Sequence, residues 1–287
     1  MPSSRAGCRV RWPSESLIDP VAPFALISDE DRAALPADVV DAYPLSQLQT
    51  GMLVEMLKAG DLHTYHNLTS FRIPDEHEFS LAALRQAVDI VAQRHDMLRT
   101  SMHLSGYSQP LQLVHETAEI SVTMHDWRGL DAPELDRARR EYAEQEWAAG
   151  FDLATAPLLR IAAQLEEEGA WRLTLSHCHA ITEGWSYHSM LMEIQTCYRQ
   201  LREGREPAVG EPLAVRYADF VAAELKSLAD PEDRSFWQDV VAATPRCGSR
   251  RPGPTSTAAT PNTTASTCRT TTWRRGCGVS PSRRRPR

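Results

Sequence analysis

At Trp171 the chain begins an alternation that only one kind of local structure satisfies: Trp171, Leu173 and Leu175 alternate with Arg172 and Thr174, as in a strand with one face in a core. From Tyr187 the period changes. Tyr187, Met190, Leu191, Ile194, Tyr198 and Leu201 recur at helical spacing, with Ser186 placed to cap the first turn and Gly204 to end the last. Between them lies Ser176-His177-Cys178-His179-Ala180-Ile181-Thr182-Glu183-Gly184-Trp185-Ser186. A strand, a polar loop and a helix in that order place the loop's side chains on rigid supports while leaving them reachable, and a histidine there can exchange a proton near neutral pH.

Composition narrows the classes of function. The 287 residues carry a net charge of −7, but the charge is unevenly spread. Ten of the 31 basic residues fall in Pro245–Arg287, which has no Lys, Asp or Glu, so residues 1–244 hold 21 bases against all 38 acids, a net −17. An acidic body argues against nucleic acid as a partner. No apolar run approaches the roughly 20 residues of a membrane span, and the first residues lack the apolar block of a signal peptide, so a cytoplasmic protein is expected. The six cysteines show no paired zinc spacing and are expected to be free thiols.

Several further elements are legible. Residues 1–22, with Pro13 and Pro20, read as a linker or disordered lead. A short capped helix is expected at Ile27–Arg32, and Ser46 can cap a helix carrying Leu48, Met52, Leu53 and Met56 on one side. Tyr65–Ile73 reads as a strand, and Ser80 caps a helix with Leu81, Leu84, Val88 and Val91 on one face. Leu111–His115 and Ile120–Met124 read as strands, and Asp131 and Pro133 open a charged helix that stops at Gly150. The Glu166–Gly169 reversal should pair the strand Leu159–Leu165 with the one from Trp171, antiparallel. Two further helices are headed by Tyr217-Ala218-Asp219 and Pro231-Glu232-Asp233.

Four segments, in this order, carry a resemblance: Tyr43-Pro44-Leu45-Ser46 with Gln49, Gly51 and Met52; Arg94-His95 with Leu98-Arg99-Thr100; Phe151-Asp152-Leu153 with Pro157-Leu158 and Arg160; and His179 with Gly184-Trp185-Ser186. They resemble the motifs of condensation domains of nonribosomal peptide synthetases, whose active-site signature is His-His-x-x-x-Asp-Gly. Here Cys178 stands at the first His and Glu183 at the Asp. The segment Ala22–Leu26 is similar to the connector that joins an upstream carrier domain to such a domain.

The resemblance covers about residues 23–244 and implies an α+β fold like chloramphenicol acetyltransferase, a mixed, largely antiparallel sheet packed with helices, here as one lobe of the two. It implies amide formation between aminoacyl or peptidyl thioesters carried on phosphopantetheine by carrier-protein domains, with other synthetase modules as partners and no cofactor bound by the domain itself. His179 is then the candidate base or hydrogen-bond partner, and Gly184 offers a backbone N–H, or room, near the reacting carbon. Trp185 is expected to pack. The family's ion pair implies Arg94 or Arg99 beside Glu183, either being open. The Cys178 and Glu183 substitutions and the single lobe imply weak activity or none, so a non-catalytic carrier-binding module or decayed gene product is the alternative from another class. A metal site around His177 and His179 is a further rival, disfavoured because Gly184 breaks any helical pairing of His179 with Glu183.

From Pro245 onward the sequence is nearly all Arg, Thr, Ser, Pro, Gly and Ala, without Leu, Ile, Met or Phe. Such a stretch cannot bury enough apolar surface to offset chain entropy and is expected to be disordered. It reads as a basic arm or, favoured by the abrupt change of composition, as translation out of frame.

Overall fold

In the first of two sheets, β4 (Leu111–His115) lies between β1 (Val39–Pro44) and β3 (Thr100–His103), antiparallel to both. The second runs in the order β2 (His66–Pro74), β7 (Ala170–Cys178), β6 (Leu159–Glu167), β5 (Val122–Asp126), with only the β5–β6 pair parallel. The computed structural model describes residues 19–59, 64–167, 169–207 and 213–243. Most of the expected lead and the whole of the expected tail, 245–287, lie outside the described residues, as do four of the six cysteines.

The helices in chain order are α1 (Asp29–Ala33), α2 (Gln47–Ala59), α3 (Leu81–Arg94), α4 (Ala132–Ala149), α5 (Gly184–Arg202), α6 (Tyr217–Ala229) and α7 (Pro231–Ala243). Their starts follow the expected caps. Ser28 Oγ accepts from Asp31 N, Ser46 Oγ from Gln49 N, and Ser80 Oγ from Ala83 N. Asp131 and Glu134 form a reciprocal capping box at α4, with Pro133 in the first turn. Gly150 follows the last turn of α4, and Gly204, past the end of α5, takes φ +67°, which a residue with a Cβ rarely adopts. Among the described residues, no helix is long and apolar enough to cross a membrane.

The main core forms where Leu84, Val88 and Val91 of α3 and Ile194 and Tyr198 of α5 cover Ile161, Leu173 and Leu175 of the second sheet. Trp171 and Tyr198 meet edge to face at 5.4 Å. The chain divides into two units between Gln238 and Asp239, so only the last residues of α7 are described in the second.

Two local expectations are corrected. First, β7 is buried on both faces, because the residues expected to face solvent are matched by neighbours. Thr174 Oγ1 bonds Gln164 Oε1 and Ser70 Oγ, and Ser176 Oγ lies 2.7 Å from His66 Nε2. Second, the stripe that α2 buries runs through Gln49, Leu53 and Met56, and Leu48 is 65% exposed. Gln49 can take an interior position because its amide is fully engaged there. β1, a strand that the sequence pattern does not announce, forms although Asp41 interrupts its apolar run. Buried Asp41 accepts from Phe24 N, Ala42 N and the Arg216 guanidinium, which pairs its oxygens, while burial still holds its carboxyl above the ordinary value.

Candidate functional site

The polar loop is shorter than the sequence suggests. β7 continues through Ser176, His177 and Cys178, and a 3₁₀ turn at His179–Ile181 leads to α5. The alternation therefore ends at Cys178. Cys178 points into the main core, 1% exposed, where burial raises its thiol above the ordinary pKa. His177 is buried against the Tyr187 ring, stacked at 4.9 Å and 24°. That burial lowers His177 to about 4, so its ring is neutral at physiological pH. His179 is half-buried. Its backbone N–H bonds Tyr65 O at 2.8 Å, its ring lies parallel to that of Tyr65 at 6.5 Å, and Nδ1 is 3.2 Å from Asn67 Nδ2. Asn67 sits in an ordinary β-forming run, so nothing in the sequence marks it as a neighbour of His179.

Glu183 is bound otherwise than the family ion pair implies. It is the N-cap of α5 and accepts from Trp185 N, Ser186 N and Ser186 Oγ, each at 2.7 Å. These bonds, the Trp185 N–H first, hold its carboxyl below the ordinary value. A glutamate at the N-cap reaches forward over the first turn, where α5 offers it unpaired N–H groups at close range. The cap expected of Ser186 thus belongs to Glu183, three residues earlier. Trp185 stands 83% exposed instead of packing.

Neither arginine pairs with Glu183. Arg94 Nη1 bonds Glu193 Oε1 at 2.7 Å, and the same carboxylate takes His95 Nε2 at 2.7 Å through Oε2. Glu193 lies on α5, so this contact clamps the end of α3 to the middle of α5. Arg99 is buried and serves the backbone. It donates to Ala92 O at 3.0 Å, Glu116 O at 3.0 Å and His115 O, and pairs with Asp96 at 2.7 Å. Gly184 opens α5 with no atom within 4 Å of where a Cβ would stand, so neither room nor backbone conformation requires glycine there in this chain.

A cavity of about 700 Å³ adjoins the loop. His179, Ile181 and Glu183 form one wall, Met97 and Leu98 after α3 another, and the segment around Tyr217 a third. Leu213, Val215 and Phe220 on its rim remain exposed, so it is open to solvent. Its floor is fixed by a buried pair of amides. Gln49 Nε2 donates to Gln112 Oε1 and to Ala180 O, and Gln112 Nε2 donates to Gln49 Oε1 and Pro44 O. Gln49 belongs to the Tyr-Pro-Leu-Ser segment, so this pair ties the first motif to the residue after His179.

Neither the rival metal site nor a second row of reactive side chains gains support from the geometry. Among the described residues, no three His, Cys, Asp or Glu side chains gather as metal ligands. Ser101 Oγ, His115 and Asp38 form a hydrogen-bonded row, with 2.8 Å at each step, but Ser101 is fully buried and no substrate reaches its hydroxyl.

The family model of the condensation domain matches residues 39–267. The AMB antimetabolite synthetase AmbE of Pseudomonas aeruginosa is 35% identical over 222 residues, 77% of this chain and 10% of that protein. The phosphinothricin tripeptide synthetase PhsB of Streptomyces viridochromogenes is 31% identical over 214 residues, 73% of this chain and 18% of that protein. In fold, the chain is similar to the crystal structure of the starter condensation domain of rhizomide synthetase RzmA, with a TM-score of 0.61 at 18% identity, covering 71% of this chain and 51% of that one. The chain thus spans less than a fifth of these two synthetases and about half of the solved condensation domain. Its antiparallel-rich α+β sheets are those expected of a chloramphenicol acetyltransferase-like protein, and the chain belongs to the condensation-domain family of nonribosomal peptide synthetases.

Proposed function

We propose that the cavity beside His179 is an acyl-transfer site, in which the amine of one carrier-bound aminoacyl group attacks the thioester of another acyl or peptidyl group. Both substrates are held on phosphopantetheine arms of carrier-protein domains in the cytoplasm, and the domain contributes no cofactor of its own. The observation that carries this reading is the meeting of His179, the segment after α3 and the Gln49 amide around one cavity. A thioester is already reactive, so alignment of the two tethered groups supplies most of the help required. His179 is the group that meets the reacting atoms. Arg94, Arg99 and Glu183 act through the backbone and helices that carry it, and Cys178 seats the end of β7 in the core.

Because the cavity is open, water competes with the amine and the reaction of this chain is slow. Incubation with donor- and acceptor-loaded carrier proteins, followed by mass spectrometry of the acceptor arm, should show amide product above that of a His179→Ala control. A second reading, a carrier-binding module without chemistry, is favoured by one observation: Glu183 is occupied in capping α5 and supports no arginine. Carrier binding with no product above the control would establish that second reading instead.

A further inference from the structure

The ring of His179 is held at one nitrogen only. Tyr65 fixes the backbone and lies along the ring, and Asn67 approaches Nδ1 with its amide nitrogen at 3.2 Å. Tyr65 immediately precedes β2 and Asn67 is its second residue, so both contacts to His179 come from the same end of that strand. An amide NH₂ carries two hydrogens and accepts nothing, so Nδ1 must be the acceptor in this contact. A neutral imidazole has one proton, which then sits on Nε2. His179 lines the cavity, and Nε2 has no protein partner among the described residues.

We infer that Asn67 is a positioning residue that holds His179 as the Nε2–H tautomer, so that His179 offers the cavity a hydrogen-bond donor and not a base. A carboxylate at position 67 would have the opposite effect, accepting from Nδ1–H and freeing Nε2 to take a proton. The uncharged amide of Asn67 gives the ring no such help.

The inference rests on the acyl-transfer reading of the cavity and assigns His179 its partner there. The partner is an oxygen acceptor, the thioester carbonyl, and not the ammonium or amine of the acceptor substrate. As the neutral amine forms the new C–N bond, the carbonyl electron pair moves onto oxygen, and a donor aimed at that oxygen binds the transition state more tightly than the ground state. When the C–S bond breaks, the pair returns to restore the carbonyl, the thiolate leaves, and the proton carried by nitrogen passes to sulfur. The products are the amide and the free thiol, with no proton deposited on His179.

The test reads the tautomer directly. The 287-residue chain, labelled with ¹⁵N and ¹³C histidine, is examined by long-range ¹H–¹⁵N correlation at a pH where the ring is neutral, with the His179 signals assigned from their loss in His179→Ala. The expected pattern is a protonated Nε2 and a bare Nδ1. In Asn67→Ala the two nitrogens should move toward a common, averaged shift, and in Asn67→Asp the proton should move to Nδ1. A purely structural role for Asn67 would alter stability and leave the tautomer alone, so an unchanged tautomer in a folded Asn67→Ala overturns the inference. A wild-type ring protonated at Nδ1 overturns it without any variant. Absence of amide product would count against the acyl-transfer reading while leaving the tautomer measurement intact, and an active chain with Nδ1–H would sink this inference alone.

Discussion

Glu193 receives Arg94 and His95 on its two oxygens, each at 2.7 Å, and so joins the end of α3 to α5. The Arg94 and Glu193 side chains are 27% and 30% exposed, which places the pair between surface and buried ion pairs. Glu193→Ala and Arg94→Ala should each lower stability by about 1–2 kcal/mol in urea denaturation, and a double-mutant cycle should show coupling between them. The same cycle between Arg94 and Glu183 should stay below about 0.5 kcal/mol. Strong coupling to Glu183 would mean that the ion pair expected from family likeness exists in solution.

Arg99 differs in kind. It satisfies three carbonyl oxygens and Asp96 from a buried position, so Arg99→Ala strands several acceptors at once. A loss of about 3 kcal/mol is expected, with little recovery in Arg99→Lys, because an ammonium cannot reproduce the planar fork. Full recovery by lysine would show that charge, and not geometry, matters here.

The buried Gln49–Gln112 pair gives a sharper signature. Each amide satisfies the other, so Gln49→Leu or Gln112→Leu alone should cost about 2–3 kcal/mol by leaving a partner unsatisfied. The double Leu variant should cost less than the two losses added. Additive losses would show that the amides do not act as a unit.

His177 links stability to acid. Burial lowers its pKa from the ordinary value near 6.5 to about 4, so the folded chain holds the ring neutral where the unfolded chain protonates it. Stability from this source is complete above about pH 6.5 and is lost as pH falls toward 4, by roughly 2–3 kcal/mol. His177→Leu should flatten the stability profile in that window. An unchanged slope between pH 6.5 and 4 would remove His177 as the cause.

Cys178→His, which restores the family residue, should lower stability. The thiol is packed in the main core, and a larger polar ring there adds volume and an unsatisfied nitrogen, at a cost of about 1–3 kcal/mol. A midpoint unchanged or raised in thermal denaturation would show that the core already has room for the ring.

Much of the architecture was legible because it depends on local rules. Ser28, Ser80, Asp131 and Gly204 act at the helix ends where the sequence places them, and the Glu166–Gly169 reversal does join antiparallel strands. The strand–loop–helix around His179 was legible for the same reason. What the sequence did not reveal depends on partners far along the chain. Asn67 reaches His179 across 112 residues and Gln49 reaches Ala180 across 131, and neither has a periodicity that announces it. The arginine beside Glu183 was implied by the family's ion pair, whereas in this chain the carboxylate is taken up by the N–H groups at the start of its own helix.

The cap on α5 also changes the charge at one edge of the cavity, whose lining elsewhere includes Arg94 and Arg216. A helix start ordinarily presents a partial positive charge and bare N–H groups, a natural receptor for an anion. Here Glu183 takes up the Trp185 and Ser186 N–H groups and leaves a net negative charge at the same place. A carboxylate or phosphate arriving at that edge is repelled, and a protonated amine is drawn toward it. One side chain, spent on closing its own helix, therefore reverses the sign of the field that an incoming group meets there.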